Sequence, residues 1–181
     1  WLGGWEPAKN PFHRLAPPTL RNEPLVVQVT HQPNATQAQV HLACLADGKK
    51  LSQVLAQKTL ASLLGTALFE KIRQELGASY GFGGGASQFL GGVGRLDWFG
   101  AIENGMLAQG LAVLAASLKR FEEDTLTDRA IERGRWAVAR QATLQGSTSQ
   151  AVARNLTEQV LGGRKAEELG TLFESLSAVG R

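Results

Sequence analysis

Between Leu51 and Phe82 a long stretch of helical periodicity runs through one glycine, Gly77, straight into strand periodicity. Leu51, Val54, Leu55, Ala61 and Leu64 form one apolar stripe at helical spacing. Gly65 is expected to end that helix, because glycine is a poor helix former. A second helix then runs from about Thr66 to Leu76 with Leu68, Phe69, Ile72 and Leu76 inward. Gly77 stands where a left-handed C-cap belongs. Two strand patterns follow without a helix between them, 79–87 and 91–100, joined by a hairpin loop in "QFLGG". Upstream, "LVVQVT" (25–30) and "AQVHLACLA" (38–46) predict a second pair of strands around the turn-forming "HQPNATQ". Consecutive strands pair antiparallel, so the fold class is α+β and not doubly wound.

The remainder reads as helical. Leu107, Leu111, Leu114, Leu118 and Phe121 make a stripe with Asn104 as its expected cap. "TLTD" (125–128) matches a capping box and opens a helix to about Leu144. Helices follow at 147–161, stopped by Gly162-Gly163, and at 165–176 with Leu169, Leu172, Phe173 and Leu176 inward. Residues 1–24 carry Pro7, Pro11, Pro17, Pro18 and Pro24, which block regular structure and mark a linker. That divides the 181 residues into a leading segment, 1–24, and one domain, 25–181.

A net charge of +3 is too small and too dispersed for a nucleic-acid surface. Lys49-Lys50, Lys119-Arg120 and Arg133/Arg135 read as solvated faces. Cys44 is the only cysteine, which excludes an internal disulfide and a cysteine zinc cluster, and its apolar strand neighbours predict a buried, inert thiol. No apolar run reaches the roughly 18 residues of a membrane span, and the opening residues lack a signal-peptide layout.

Most catalytic motifs fail on context. "GFGGGA" (81–86) fits a dinucleotide fingerprint, but no helical periodicity follows it, so a glycine-rich strand and hairpin are expected. Its lack of side chains leaves bare backbone that another group could approach closely. His13, His31 and His41 are scattered, and neither H-E-x-x-H nor H-x-x-E-H occurs. His31 and His41 could meet across a hairpin with no acidic partner nearby, the pattern of structural histidines. Asp97 and Glu103 are an acid–base pair in principle only, since nothing in their spacing favours it. Arg73 and Tyr80 remain. Arg73 borders the buried stripe, and Tyr80 lies three residues past the cap, at the start of the expected strand and on the same face as Phe82. One reading is an ion pair from Arg73 to Glu70 with a half-buried tyrosine. The other is a guanidinium fork and a phenol that hold a peptide carbonyl or a terminal carboxylate.

"LLGTALFEKIRQELGASYGF" resembles the signature of the second, non-catalytic domain of pitrilysin-type zinc peptidases, the inverzincins related to mitochondrial processing peptidase. Arg73, Gly77 and Tyr80 stand at its positions. "QPNATQAQVHLA" resembles the family's hairpin and second strand, and residues 101–140 its helix, acidic turn and next helix. The resemblance covers about residues 25–178. It implies an antiparallel sheet of five to six strands with helices on one face. It also implies that Arg73 and Tyr80 contact substrate peptide while this domain closes a proteolytic chamber. The zinc would then belong to an H-x-x-E-H half on another domain or chain, with no cofactor in this one. The family pattern continues past Arg181 to a further helix and strand, so the last strand is expected to be missing. More glycine follows Tyr80 than is usual in the family, which bears on the strand pairing there. The alternative is a scaffolding paralogue without peptidase activity.

Overall fold

The computed structural model describes residues 26–89, 91–123 and 126–180, so the proline-rich segment 1–24 lies outside the described residues. Three strands form one antiparallel sheet: β1 (Gln37–Asp47), β2 (Phe82–Gln88) and β3 (Val93–Glu103), with β3 central. The class is α+β as expected, but the sheet has three strands among the described residues and not five or six. Residues 26–30 of the expected "LVVQVT" strand have no regular structure, and Val26, Val27 and Val29 are exposed. β-Branched composition favours a strand only where a neighbouring surface half-buries it. Here nothing described packs on these valines.

Between β1 and β2 runs α1 (Leu51–Leu68), which continues through Gly65 instead of breaking there. The reason is a close crossing. A Cβ on Gly65 would lie 2.8 Å from the backbone N of Gly84 on β2. A Cβ on Gly84 would fall 2.1 Å from Trp98 Cδ1 and 2.8 Å from the Ala61 carbonyl oxygen. Glycine on both sides brings helix and strand backbones together. Trp98, only 3 % exposed, then donates from Nε1 to the Ala61 carbonyl at 3.0 Å. That carbonyl is the usual acceptor of the Gly65 N–H within the helix, so the indole occupies its second lone pair.

Past Leu68 the helix widens into a π-helical segment, Phe69–Glu75. Gly77 follows with φ of 65°, as the cap reading requires. The Ala78 N–H returns to Ile72 O at 3.0 Å, and Ala78 O accepts from the Glu103 N–H at 3.0 Å, tying the turn to the end of β3. The expected alternation through Tyr80 and Phe82 does not hold. β2 begins only at Phe82, and Ser79 Oγ bonds to both the N–H and the carbonyl of Gly81, which bends the chain at Tyr80. The hairpin at 88–92 is present, with Gly91 and Gly92 at positive φ.

One apolar cluster lies under the sheet: Leu64, Leu68, Ile72, Phe82, Leu96, Trp98 and Ile102 all meet there. α2 (Leu107–Glu123) covers it with Leu114, Leu118 and Phe121, but Leu111 of the expected stripe is exposed. Gly110 takes the inward position because a Cβ there would meet Ile102 at 2.8 Å. Asn104 does not cap this helix; its Nδ2 donates to Ala35 O at 2.6 Å. A second cluster joins Leu51 and Leu55 to Val138 of α3 (Asp128–Gln145) and Leu176 of α5 (Leu172–Ser177). The cap of α3 is Thr127, accepting from the Ala130 N–H at 3.3 Å; Thr125 of the expected capping box lies outside the described residues. α4 (Ser149–Leu161) is capped by Thr148 and ends at Gly162. The stretch 165–176 is a 3-10 turn, Ala166–Thr171, followed by α5, whose Phe173 is exposed and does not join the core. Arg135 is no solvated face: it donates to the carbonyl of Val179 and pins the C-terminal turn to α3.

Two stability outcomes follow. Gly65→Ala, a gain of about 1 kcal/mol in an open helix, here loses about 1–3 kcal/mol through overpacking against backbone, read as a lowered urea midpoint. Trp98→Phe keeps most of the apolar burial but forfeits the Ala61 bond, costing about 1–2 kcal/mol in the same assay.

Candidate functional site

Arg73 and Tyr80 flank the left-handed turn at Gly77. Ile72 and Ala78, both fully buried, hold the backbone on either side. The two side chains themselves are exposed. Arg73 lies over the ring of Phe69, Cζ to centroid 5.1 Å, in place of the ion pair to Glu70 considered from sequence. Tyr80 is 79 % exposed, not half-buried, and among the described residues its phenol makes no hydrogen bond. A fixed backbone thus presents a guanidinium and a phenol, each with donors to spare.

The described helices pack on one face of the sheet, and no described element covers the other. On that outer face Phe99 is 56 % exposed, and Leu45 and Phe89 are also exposed. His41 pairs across β1 and β3 with Phe99, and its Nε2 lies 3.5 Å from Asp97 Oδ1. The acidic partner not foreseen for His41 is therefore Asp97, which Arg95 also approaches at 3.3 Å. His31 lies outside the strands and Glu103 at the far end of β3, so neither joins this cluster. Cys44 is exposed and not buried, because β1 is an edge strand; partial desolvation nonetheless pushes its thiol pKa up.

The glycine strand has two different sides. Gly84 faces α1 and is filled by Trp98, whereas a Cβ on Gly81, Gly83 or Gly85 would meet nothing within 4 Å. The Phe89 N–H donates to Val93 O at 2.8 Å, which sets the hydrogen-bonding phase of the hairpin. By antiparallel alternation, the N–H and C=O of Phe82, Gly84, Ala86 and Gln88 point to the edge of β2 away from β3. No described strand occupies that edge. A cleft of about 670 Å³ runs beside it, with Gln141 and Gln145 of α3 and Arg154, Asn155 and Glu158 of α4 in the facing wall.

A second cleft of about 360 Å³ adjoins the first and shares Lys58, Gln88, Gln145, Asn155 and Glu158 with it. Lys58 escaped sequence reasoning, although a lysine four residues after Val54 and three after Leu55 interrupts an apolar stripe, and that was a readable signal. Burial pushes its pKa down from 10.5, partly opposed by Glu158 and reinforced by Arg164. The unfolded chain therefore holds this proton more firmly than the folded one. Protonated Lys58 costs stability at neutral pH, and the cost is relieved as the pH rises from the folded pKa towards 10.5. Arg164 is buried, with Nε donating to Gln159 Oε1 and Nη1 to Gly48 O at 2.8 Å. Burial lowers its pKa as well, against Glu168 and Glu158.

Among the described residues no three of His, Cys, Asp and Glu come together as metal ligands, and no helix is long and apolar enough to cross a membrane. The family model described as the peptidase M16 inactive domain matches residues 1–138. No curated protein sequence matches significantly. Among solved structures, the chain is similar to the peptidase M16 inactive domain from Pseudomonas fluorescens, at 14 % identity and a TM-score of 0.66, covering 80 % of this chain and 35 % of that one. The periplasmic protease PqqL from Escherichia coli gives 13 % identity and 0.63, over 80 % and 16 %. A chain of Complex III2 from Candida albicans gives 16 % and 0.67, over 82 % and 38 %. The present chain thus spans well under half of each of these structures. The resemblance of "LLGTALFEKIRQELGASYGF" to the non-catalytic pitrilysin-type domain is borne out, and the chain belongs to the peptidase M16 inactive-domain family.

Proposed function

We propose that this chain is the non-catalytic, substrate-binding half of a zinc-dependent peptidase, closing the chamber over a peptide. The observation that carries this reading is the uncovered face of the sheet. A sheet face that exposes Phe99, Leu45 and Phe89 among charged groups is the kind of surface that meets a partner or ligand. Bare backbone at Gly83 and Gly85 admits an extended chain to close range. The outward N–H and C=O groups of β2 are suited to pairing with such a chain. Arg73 and Tyr80 stand at the end of the sheet where β2 begins. There the guanidinium fork holds a carbonyl or carboxylate oxygen, and the phenol donates to a peptide carbonyl. Bond cleavage belongs to the H-x-x-E-H half, whose zinc would activate the attacking water. The contribution of this chain is to orient the peptide and to offset negative charge that develops on the scissile carbonyl oxygen.

The second reading, a scaffold without peptidase activity, draws on the likeness to a chain of Complex III2 and on α4, which turns Val152, Leu156 and Val160 outward. Capture of the full polypeptide or complex from its source separates the two. Zinc and chelator-sensitive cleavage of a peptide library that co-purify favour the peptidase, and a partner without either favours the scaffold. In the peptidase, Arg73→Ala and Tyr80→Phe are each expected to lower kcat/KM by roughly ten-fold or more with the melting midpoint unchanged. Full turnover in both variants refutes the assignment of these two residues.

A further inference from the structure

The second cleft holds a combination that neither packing nor the outer sheet face accounts for. Leu55, Val152, Leu172 and Phe173 give it apolar walls. Into it come two polar side chains with unused donors. Lys58 makes no hydrogen bond or ion pair among the described residues, although burial pushes its pKa down. Gln159 is 4 % exposed; its Oε1 accepts from Arg164, and its Nε2 has no partner among the described residues. A buried amide donor without a partner is costly, and so is a desolvated ammonium. Both costs sit in one cleft that is large enough to admit a ligand.

The surrounding charges set the sign of that ligand. Of the charged side chains that line it, Lys58 and Arg164 stand with Glu158, an excess of one positive charge. Glu158 is already held by Arg154, Nε to Oε1 3.1 Å, so it leaves the Lys58 ammonium without a salt bridge. Arg164 donates to Gln159 Oε1, Gly48 O and Glu158 O, which fixes it in the wall, while Lys58 Nζ and the buried Gln159 Nε2 are left without partners among the described residues.

We propose that this cleft binds a carboxylate carried on an apolar body, the carboxylate accepting from Lys58 Nζ and Gln159 Nε2 while the apolar part lies between α1, α4 and α5. Two sources share that chemistry: the C-terminal residue of a peptide, and a free medium-chain monocarboxylate. The site stands apart from Arg73 and Tyr80 and does not depend on the reading given for them.

The test is titration calorimetry on the full polypeptide with three probes: an acetylated tripeptide ending in free leucine, the same peptide as its C-terminal amide, and hexanoate. Binding of the free acid at least ten-fold tighter than the amide, with hexanoate weak, supports the site and assigns it to peptide termini. Hexanoate binding as tightly as the free acid supports it and assigns it to free acids. Equal binding of acid and amide, or no binding of either acid, overturns it. Lys58→Met is expected to abolish binding of whichever acid binds while raising the melting midpoint at neutral pH, by removing an uncompensated charge. Gln159→Leu is expected to weaken the same binding several-fold. Unchanged affinity in a folded Lys58→Met protein also overturns the proposal.

Discussion

The crossing of α1 over β2 is the contact on which the rest of the molecule depends. Helix and strand backbones meet through Gly65 and Gly84, and the Trp98 indole passes beside Gly84 to reach the Ala61 carbonyl. Nothing larger than glycine fits at either point without moving backbone. The close approach sets the depth at which α1 lies on the sheet, and with it the position of Leu64, Leu68 and Ile72 in the core. The same device recurs farther out: a Cβ on Gly134 of α3 would meet Thr59 and Leu63 of α1 within 3 Å. The glycine-rich character of the chain is thus partly a packing device for stacking helices closely on a three-stranded sheet.

Because α1 is held this tightly, its two ends become useful. At its C-terminal end the widened π-helical turn and Gly77 present Arg73 and Tyr80 from a backbone anchored by Ile72 and Ala78. π-Helical turns are uncommon and often accompany functional sites, since they shift side chains out of α-helical register. Nearer its N-terminal end Lys58 reaches a cleft closed by α4 and the segment after it. α1 therefore serves as a common wall: the sheet cluster packs on one side of it and the α3–α5 cluster on another.

Local signals placed much of this architecture correctly. The stripe from Leu51 to Leu64, the Gly77 cap, the hairpin at Gly91-Gly92 and the order of elements from the 38–46 strand to α4, apart from the break expected at Gly65, all follow from periodicity and turn chemistry, which neighbours along the chain enforce. Where the reading failed, a long-range contact had overruled a local preference. Gly65 stays helical because β2 passes there. Leu111 turns outward because Gly110 lies against Ile102. Residues 26–30 remain without regular structure because β-propensity finds no surface to bury. Cys44 is exposed because β1 is an edge, a property of strand order that no single strand encodes.

For the sites the division is sharper. The sequence by itself determined the residue types at the Gly77 turn, their spacing and the family to which they belong, because a helix cap and the strand after it are fixed by a dozen neighbouring residues. Only the tertiary structure decided that His41 meets Asp97, that Gly83 and Gly85 face outward while Gly84 is filled, and that Lys58, Gln159 and Arg164 share one cleft. Arg164 lies 116 residues from the Gly48 carbonyl it binds. Such a contact exists because α1 packs against α3 and α5, which brings the segment after α4 to the start of α1, and the energy that holds these helices together is spread over apolar surface with no signature at either residue.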